Sequence, residues 1–384
     1  MKTIYLDHNA TTPIAPEVIE AMGNRAKKFW ANPSSGHLAG RAAAEELARN
    51  REAIARFIGA VPPEIVFTAG GSEADNLALL GAARANRQKG RHILVSAVEH
   101  HAVLKSCEVL EGEGFEIGVL PVDGKGRVGP ETVKSALRDD TILVSVMHAN
   151  NEVGTIQPIA EIGKILRDRR ILFHSDAAQS VGKIPVDVDA MHVDLLTCAA
   201  HKIYGPKGTG FLYVRRGISL TPLLHGGGQE GGRRAGTEDL PSIAGLACAL
   251  QLASARMVQE REQLTRMREC FFEMLSGAVR GVTRNSPKEG SLPGTLSVAV
   301  EGVAGAQLPD RLSREGICLS ASAACTSESV VASHVLTAMG ISPERAASTL
   351  RISFGRSNRE EEIPRVVKAI KSAVHQLRLR KEQS

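Results

Sequence analysis

Between residues 64 and 216 the chain alternates short apolar runs with segments of helical period, and this alternation constrains its fold most. Apolar runs occur at 64–68, 92–96, 116–122, 141–148, 171–175, 194–198 and 210–215. Several are unbroken, as expected of strands covered on both faces. Between them, Leu77, Leu79, Leu80 and Ala83, or Ile159, Ile162, Ile165 and Leu166, recur as one face of a helix does. The pattern predicts an α/β fold, a seven-stranded mostly parallel sheet flanked by helices. Ligands of such sheets sit beyond the carboxyl ends of the strands.

After Gly236 the pattern changes. A helical stretch over 241–278 leads to a loop over 285–293, a strand over 294–300 and a helix over 307–315. A short strand over 317–319, a strand over 349–354 and a helix over 359–379 complete a smaller α+β domain. The extended residues before Pro13 and Pro16 are expected to join it. The predicted division is 16–255 for the large domain, with 1–15 and 256–384 forming the small one. A chain of 384 residues accommodates two such domains. Aromatics are only 3 % of it, so Val, Ile, Leu and Ala must build the cores.

Charge and cysteine usage narrow the function. The net charge of +5 comes with no basic run interleaved with aromatics, so no direct nucleic-acid partner is expected. Lys368, Lys371, Arg378, Arg380 and Lys381 read as a solvated helix face. None of the six cysteines forms a C-x-x-C pair, so no metal is expected. No signal peptide and no membrane-spanning apolar run is evident, which predicts a cytoplasmic protein with reduced thiols.

Chemistry gathers where strands end. One run leads into Asp176-Ala177-Ala178-Gln179 and another into His201-Lys202. A lysine and an acid so placed suit pyridoxal 5'-phosphate (PLP). The lysine forms a Schiff base with its aldehyde, and the acid keeps the pyridine nitrogen protonated so that the ring acts as an electron sink. Thr68-Ala69-Gly70-Gly71-Ser72 runs from a strand into a helix, where backbone N–H groups and the Ser72 hydroxyl suit a phosphate. His100 follows the 92–96 strand and suits a ring-stacking imidazole; Asn150-Asn151 follows the 141–148 run, as either a turn former or a polar contact. Gln179 is three residues after Asp176 and shares its side of the turn.

Tyr5-Leu6-Asp7-His8-Asn9-Ala10-Thr11-Thr12-Pro13, Asn32-Pro33-Ser34-Ser35-Gly36-His37, the 147–154 and 174–179 segments, 201–208 and Gly226-Gly227-Gly228-Gln229-Glu230 together resemble the cysteine desulfurases of the NifS/IscS type. The resemblance covers essentially the whole chain. It implies the PLP fold-type I of the class V aminotransferases, a homodimer, and L-cysteine as the substrate that yields L-alanine and an enzyme persulfide. By this resemblance Lys202 is the Schiff-base lysine, Asp176 the pyridinium partner and His100 the stacked ring. Gln179 and Asn151 meet the phenolic oxygen and the substrate. Gly71, Ser72 and His201 hold the phosphate, with Thr237 reaching the partner subunit's phosphate. Arg351 binds the substrate carboxylate. The persulfide-bearing nucleophile is Cys325, in a run of small residues, Ser320 to Ser327.

Ala199 stands where such enzymes commonly carry a phosphate-binding Ser, which removes a bond of about 1.5–3 kcal/mol unless something replaces it. Ser322 and Ala323 stand before Cys325 where Gly and Ser are usual. The sulfur acceptor, an iron-sulfur scaffold or a thiolation protein, is left open. Rival readings are a selenocysteine lyase, an aminotransferase, which has no use for a loop cysteine, and a scaffold without turnover, against which Lys202, Asp176, His100 and Arg351 all argue.

Overall fold

The computed structural model describes residues 3–321, 324–326 and 329–382; for 322–331 and 381–384 no side chain is described. The chain opens with β1 (Ile4–Tyr5), then α1 (Pro16–Lys28) and α2 (Leu38–Phe57). Next come β2 (Ile65–Thr68), α3 (Gly71–Asn76), a π turn (Leu77–Gly81) and α4 (Ala82–Asn86). Then follow β3 (His92–Ser96), α5 (His101–Gly112), β4 (Glu116–Leu120), α6 (Pro130–Ala136), β5 (Thr141–Ser145), α7 (Ile159–Arg169), β6 (Leu172–Asp176), β7 (Leu195–Ala199) and β8 (Gly210–Val214).

Seven of these strands make one sheet in the order β2-β8-β7-β6-β5-β3-β4. β8 is antiparallel to both its neighbours, and every other pairing in the sheet is parallel. Alternation along each strand serves two cores. Phe67, Leu94, Val144, Phe173, Leu196 and Phe211 face one side, with Val18, Ile54 and Leu246 from the covering helices. Val66, Ile93, Leu143, Leu195 and Leu212 face the other, with Leu77, Val103 and Leu110. Burying both faces is what makes the strand sequences continuously apolar. β5 ends earlier than its apolar run suggests, because Val146 and Met147 stay buried after the strand has left the ladder.

α8 (Leu240–Ala278) starts on Asp239, whose side chain accepts from the Ser242 N–H, with Pro241 in its first turn. Its first half gives Leu240, Ile243, Leu246 and Leu250 to the large core. Its second half gives Met267, Phe271 and Leu275 to a separate core. By length and composition alone α8 is apolar enough to cross a membrane, which corrects the reading that no such run exists; half of its most apolar stretch is buried inside the protein. Ala-rich packing against α1 and α2 is the use the fold makes of that stretch.

The second core lies beneath an antiparallel sheet. Its strands are β9 (Val282–Arg284), β10 (Thr295–Val300), and, after α9 (Leu308–Arg314) and β11 (Ile317–Cys318), β12 (Ser320–Ala321). A hairpin, β13 (Ala324–Thr326) and β14 (Ser329–Val331), precedes α10 (His334–Ala338), α11 (Pro343–Ala347), β15 (Thr349–Ser353) and α12 (Ile363–Glu382). The sheet order is β12-β15-β10-β9. β1 pairs in parallel with β11, and Ile4 and Leu6 enter this core.

Candidate active site

The parallel strands β7, β6, β5 and β3 end on one edge of the large sheet, and the loops that leave them carry the candidate residues. Asp176 is the last residue of β6, registered with Thr197 of neighbouring β7. Its Oδ1 accepts from the Ala178 N–H at 2.9 Å. Burial raises its pKa, while His100 and Lys202 pull it down, so the three groups share one electrostatic environment. His100 caps α5: its Nδ1 accepts from the Ala102 N–H at 3.1 Å, which leaves the proton of the neutral ring on Nε2. Its ring opens to solvent at the mouth of the site.

Lys202 lies just beyond β7. Its Nζ donates to the carbonyls of Asn9 (2.7 Å) and Ala10 (2.8 Å). Burial first, then the Arg351 charge, brings its pKa down to about 8, with Asp176 and Asp7 pulling the other way. His201 Nδ1 meets Thr11 Oγ1 at 3.1 Å, and burial with the nearby lysines takes its pKa down to about 4. The 9–12 segment is thus tied to both His201 and Lys202.

The adjacent asparagines divide their work. Asn150 is spent on structure: Oδ1 accepts from the Glu152 and Val153 N–H groups and Nδ2 donates to the Val98 carbonyl. Asn151 offers its backbone carbonyl to Asn9 Nδ2 and Arg351 Nη1, at 3.1 and 3.4 Å. Its side chain bonds no described residue. Gln179 Nε2 donates to the Asn9 carbonyl at 2.9 Å.

Arg351, on β15 of the small sheet, reaches the same place. Its Nη2 donates to Asp7 Oδ1 at 2.8 Å, while its Nε is buried without a partner among the described residues. A buried guanidinium N–H with no acceptor is costly, and a substrate carboxylate would satisfy it. The strand register pairs Arg351 with Ser320 of β12. Cys325 lies in β13, registered with Val330; its side chain, like Ser322 and Ala323, lies outside the described residues. Five residues of chain from Ser320 reach at most about 17 Å, so the Cys325 backbone is closely tethered to the arginine strand.

The turn after β2 is open where a phosphate would need it. Gly70 sits at φ +135°, and a Cβ there would meet nothing within 4 Å. Gly71 opens α3, and a Cβ on it would approach the Ala199 Cβ at 3.3 Å. Ser72 is exposed, and Asn76 Nδ2 donates to its carbonyl rather than to its hydroxyl. Thr237 is exposed on a loop that Arg234 fastens to Glu73, with Nε 2.8 Å from Oε1. Further back in this loop, Glu230 is buried and takes a two-bond ion pair from Arg51, both at 2.7 Å, and a bond from the Phe67 N–H. It anchors the Gly-rich run to β2.

Sequence reasoning missed Asp7, Asn9, Lys183, Glu73 and Glu230, each of which holds a partner at the site or beside it. Asp7 and Asn9 lie within a motif quoted as a whole, and no local spacing distinguishes them. Of the five cysteines besides Cys325, Cys107 and Cys198 are buried, while Cys248, Cys270 and Cys318 are half-buried. Burial pushes the Cys107 thiol up to about 12 and that of Cys198 higher, so neither supplies thiolate at neutral pH.

The residues fit PLP. An acid faces the pocket from a strand end beside a lysine of depressed pKa. A glycine turn is open to an anion, and a buried arginine N–H lacks an acceptor. Fold and site define a PLP-dependent enzyme of fold-type I. Residues 4–366 match the model of the aminotransferase class-V family, and the chain belongs to that family. It is 44 % identical over 377 residues to a cysteine desulfurase IscS of Methanosarcina thermophila, covering 98 % of this chain and 93 % of that one. It is 45 % identical over 377 residues to a cysteine desulfurase IscS of Dictyoglomus turgidum, covering 98 % and 96 %. Among solved structures, a NifS-like protein superposes with a TM-score of 0.91 at 36 % identity, covering 97 % of this chain and 99 % of that one. SspA in complex with cysteine superposes with a TM-score of 0.80 at 39 % identity, covering 92 % and 99 %.

Proposed function

We propose that this protein is a PLP-dependent cysteine desulfurase that converts L-cysteine to L-alanine and holds the sulfur as a persulfide on Cys325. The observation that carries the reading is the convergence of Lys202 and Asp176, from the large sheet, with the partnerless Nε of Arg351, from the small one. PLP supplies a sink for the electron pair left at the substrate Cα.

Lys202 takes the Cα proton. With its pKa brought down to about 8, a useful fraction is neutral at physiological pH, as a general base requires. Arg351 holds the substrate carboxylate through Nε and Nη2, whose N–H groups run parallel, with Asp7 sharing Nη2 and the Asn151 carbonyl keeping Nη1. Asn151 and Gln179 orient polar groups at the ring edge, and Gly71, Ser72 and His201 hold the phosphate. His100 covers the mouth of the site and offers its Nε2–H there as a hydrogen-bond donor. The Cys325 thiolate attacks the substrate sulfur. An S–S bond forms, the Cβ–S bond breaks, its electron pair goes to carbon, and protonation releases alanine.

The same reading includes a cytoplasmic homodimer in which Thr237 serves the partner subunit's phosphate, and a protein acceptor for the sulfur in iron-sulfur assembly or thiolation. The deciding experiment incubates the purified enzyme with L-cysteine and no added thiol. One persulfide at Cys325 and matching alanine are expected by mass spectrometry. Alanine without a Cys325 persulfide would overturn the sulfur-transfer reading, and an active monomer in sedimentation would overturn the shared site.

A further inference from the structure

Lys183 follows β6 by seven residues and has no role in the chemistry described so far. Its Nζ donates to Gln179 Oε1 at 2.7 Å and lies 3.5 Å from Asn9 Oδ1. Gln179 Nε2 donates to the Asn9 carbonyl, which also accepts from Lys202 Nζ. One carbonyl therefore joins Gln179 to Lys202, and Lys183 holds the far end of the Gln179 amide.

The two ends of a carboxamide are nearly equal in size, so its partners decide which way it points. An ammonium is donor only, and a carbonyl is acceptor only. Lys183 and Asn9 therefore force Oε1 toward Lys183 and Nε2 toward the pocket. One Nε2 hydrogen goes to Asn9, and the second has no described partner. Charge on Lys183 also polarises the amide, which strengthens that second N–H as a donor.

We propose that Lys183 is a positioning residue that orients and polarises Gln179, so that a Gln179 N–H is presented to the phenolic oxygen of PLP. This rests on the reading that Gln179 lies at that edge of the ring. Lys183, Lys202, His8, Asn9 and Glu260 line a narrow, partly open cavity of about 40 Å³. That space admits a water and little more, so Lys183 does not bind substrate there. Burial and the charges of Lys202 and Arg351 bring the Lys183 pKa down to about 7, so its cationic form bears on the same groups that set Lys202. Those facing Lys202 are Arg351, Asp176 and Asp7.

The test titrates the visible absorbance of the Lys202–PLP linkage in the holoenzyme and follows PLP loss on dilution. Removing a nearby cation favours the protonated linkage, so Lys183→Met should raise the midpoint by roughly one pH unit and speed PLP loss severalfold. Lys183→Arg should keep the wild-type midpoint within a third of that shift. Lys183→Gln retains a donor without charge and serves if Lys183→Met does not fold; it too should raise the midpoint. An unchanged midpoint and unchanged PLP retention in the uncharged variants, with only a lowered Tm, would overturn the proposal. Gln179→Leu tests the underlying reading separately. If it leaves both measurements at wild-type values, the placement of Gln179 beside the ring is wrong whatever Lys183 does.

Discussion

The two walls of the site are built differently. The large-sheet wall comes from the ends of long-range parallel strands, with Asp176 buried between neighbours and Lys202 one short turn beyond β7. The small-sheet wall comes from short antiparallel strands, and Arg351 is paired there with Asp7, whose segment bridges to Ser353 of the same strand. The first wall fixes proton chemistry in place. The second presents substrate-binding and sulfur-accepting groups on elements that share little core with the first. Variants of the first wall should therefore abolish early steps, whereas variants of the second should change binding or the last step.

Lys202→Ala should have the largest effect. Losing the base costs about 10²–10⁴-fold in turnover from proton transfer alone, and the covalent attachment of PLP goes with it. Borohydride reduction followed by peptide mapping should place pyridoxyl on Lys202 in the wild type and nowhere in the variant. A pyridoxyl group on Lys183 would break the assignment of roles within the large-sheet wall.

Cys325→Ala comes next. It should bind PLP and cysteine as the wild type does, with the spectral change on adding cysteine intact, yet form no persulfide and lose at least about 10²-fold in alanine production. A persulfide on Cys318, half-buried on β11, would move the nucleophile without moving the wall.

Arg351→Ala should weaken cysteine binding by about 1.5–3 kcal/mol and, by removing a cation beside Lys202, also raise the pH midpoint of the resting spectrum. Asp7→Asn sharpens the same comparison, because it leaves Arg351 in place but removes the charge that steadies it. Equal losses in KM and kcat for Arg351→Ala would show that the arginine acts on the proton-transfer wall as well.

The large wall was legible from sequence because its logic is local: an apolar run ends and a reactive side chain follows within a few residues. That is how Asp176, Lys202, His100 and Asn151 were found. Arg351 and Cys325 carry no such signal and were reached through resemblance alone. The Asp7–Arg351 pair spans 344 residues, and the Asn9–Thr295 bond spans 286. No periodicity marks a contact of that range. Asn9 joins both walls through Gln179, Lys202, Asn151, Thr295 and Ser353, and it lies in a stretch that reads simply as extended. Glu230 adopts φ +50° and a buried ion pair in a run that reads as a flexible glycine loop.

The smallest expected effect concerns what lies beneath the large wall. His174, two residues before Asp176 on β6, is fully buried; its Nδ1 meets Ser145 at 2.9 Å, its Nε2 meets Thr197 at 3.1 Å, and Asp75 Oδ1 is 3.6 Å away. Burial takes its pKa from 6.5 down to about 3. Between those values the unfolded chain holds a proton on His174 that the folded chain does not. By linkage, this contribution to stability rises with pH across that window and is lost as the pH falls below about 6.5. Its slope is about 1.36 kcal/mol per pH unit while the difference is one whole proton. His174→Gln removes the titrating group while keeping donor and acceptor atoms. The variant should be less stable overall, but its acid limb, measured by denaturant unfolding of the apoenzyme from pH 6 to 4, should be shallower by nearly that slope. An unchanged slope would mean that the floor of the large wall admits a proton at His174 and is not the dry, fixed surface its burial describes.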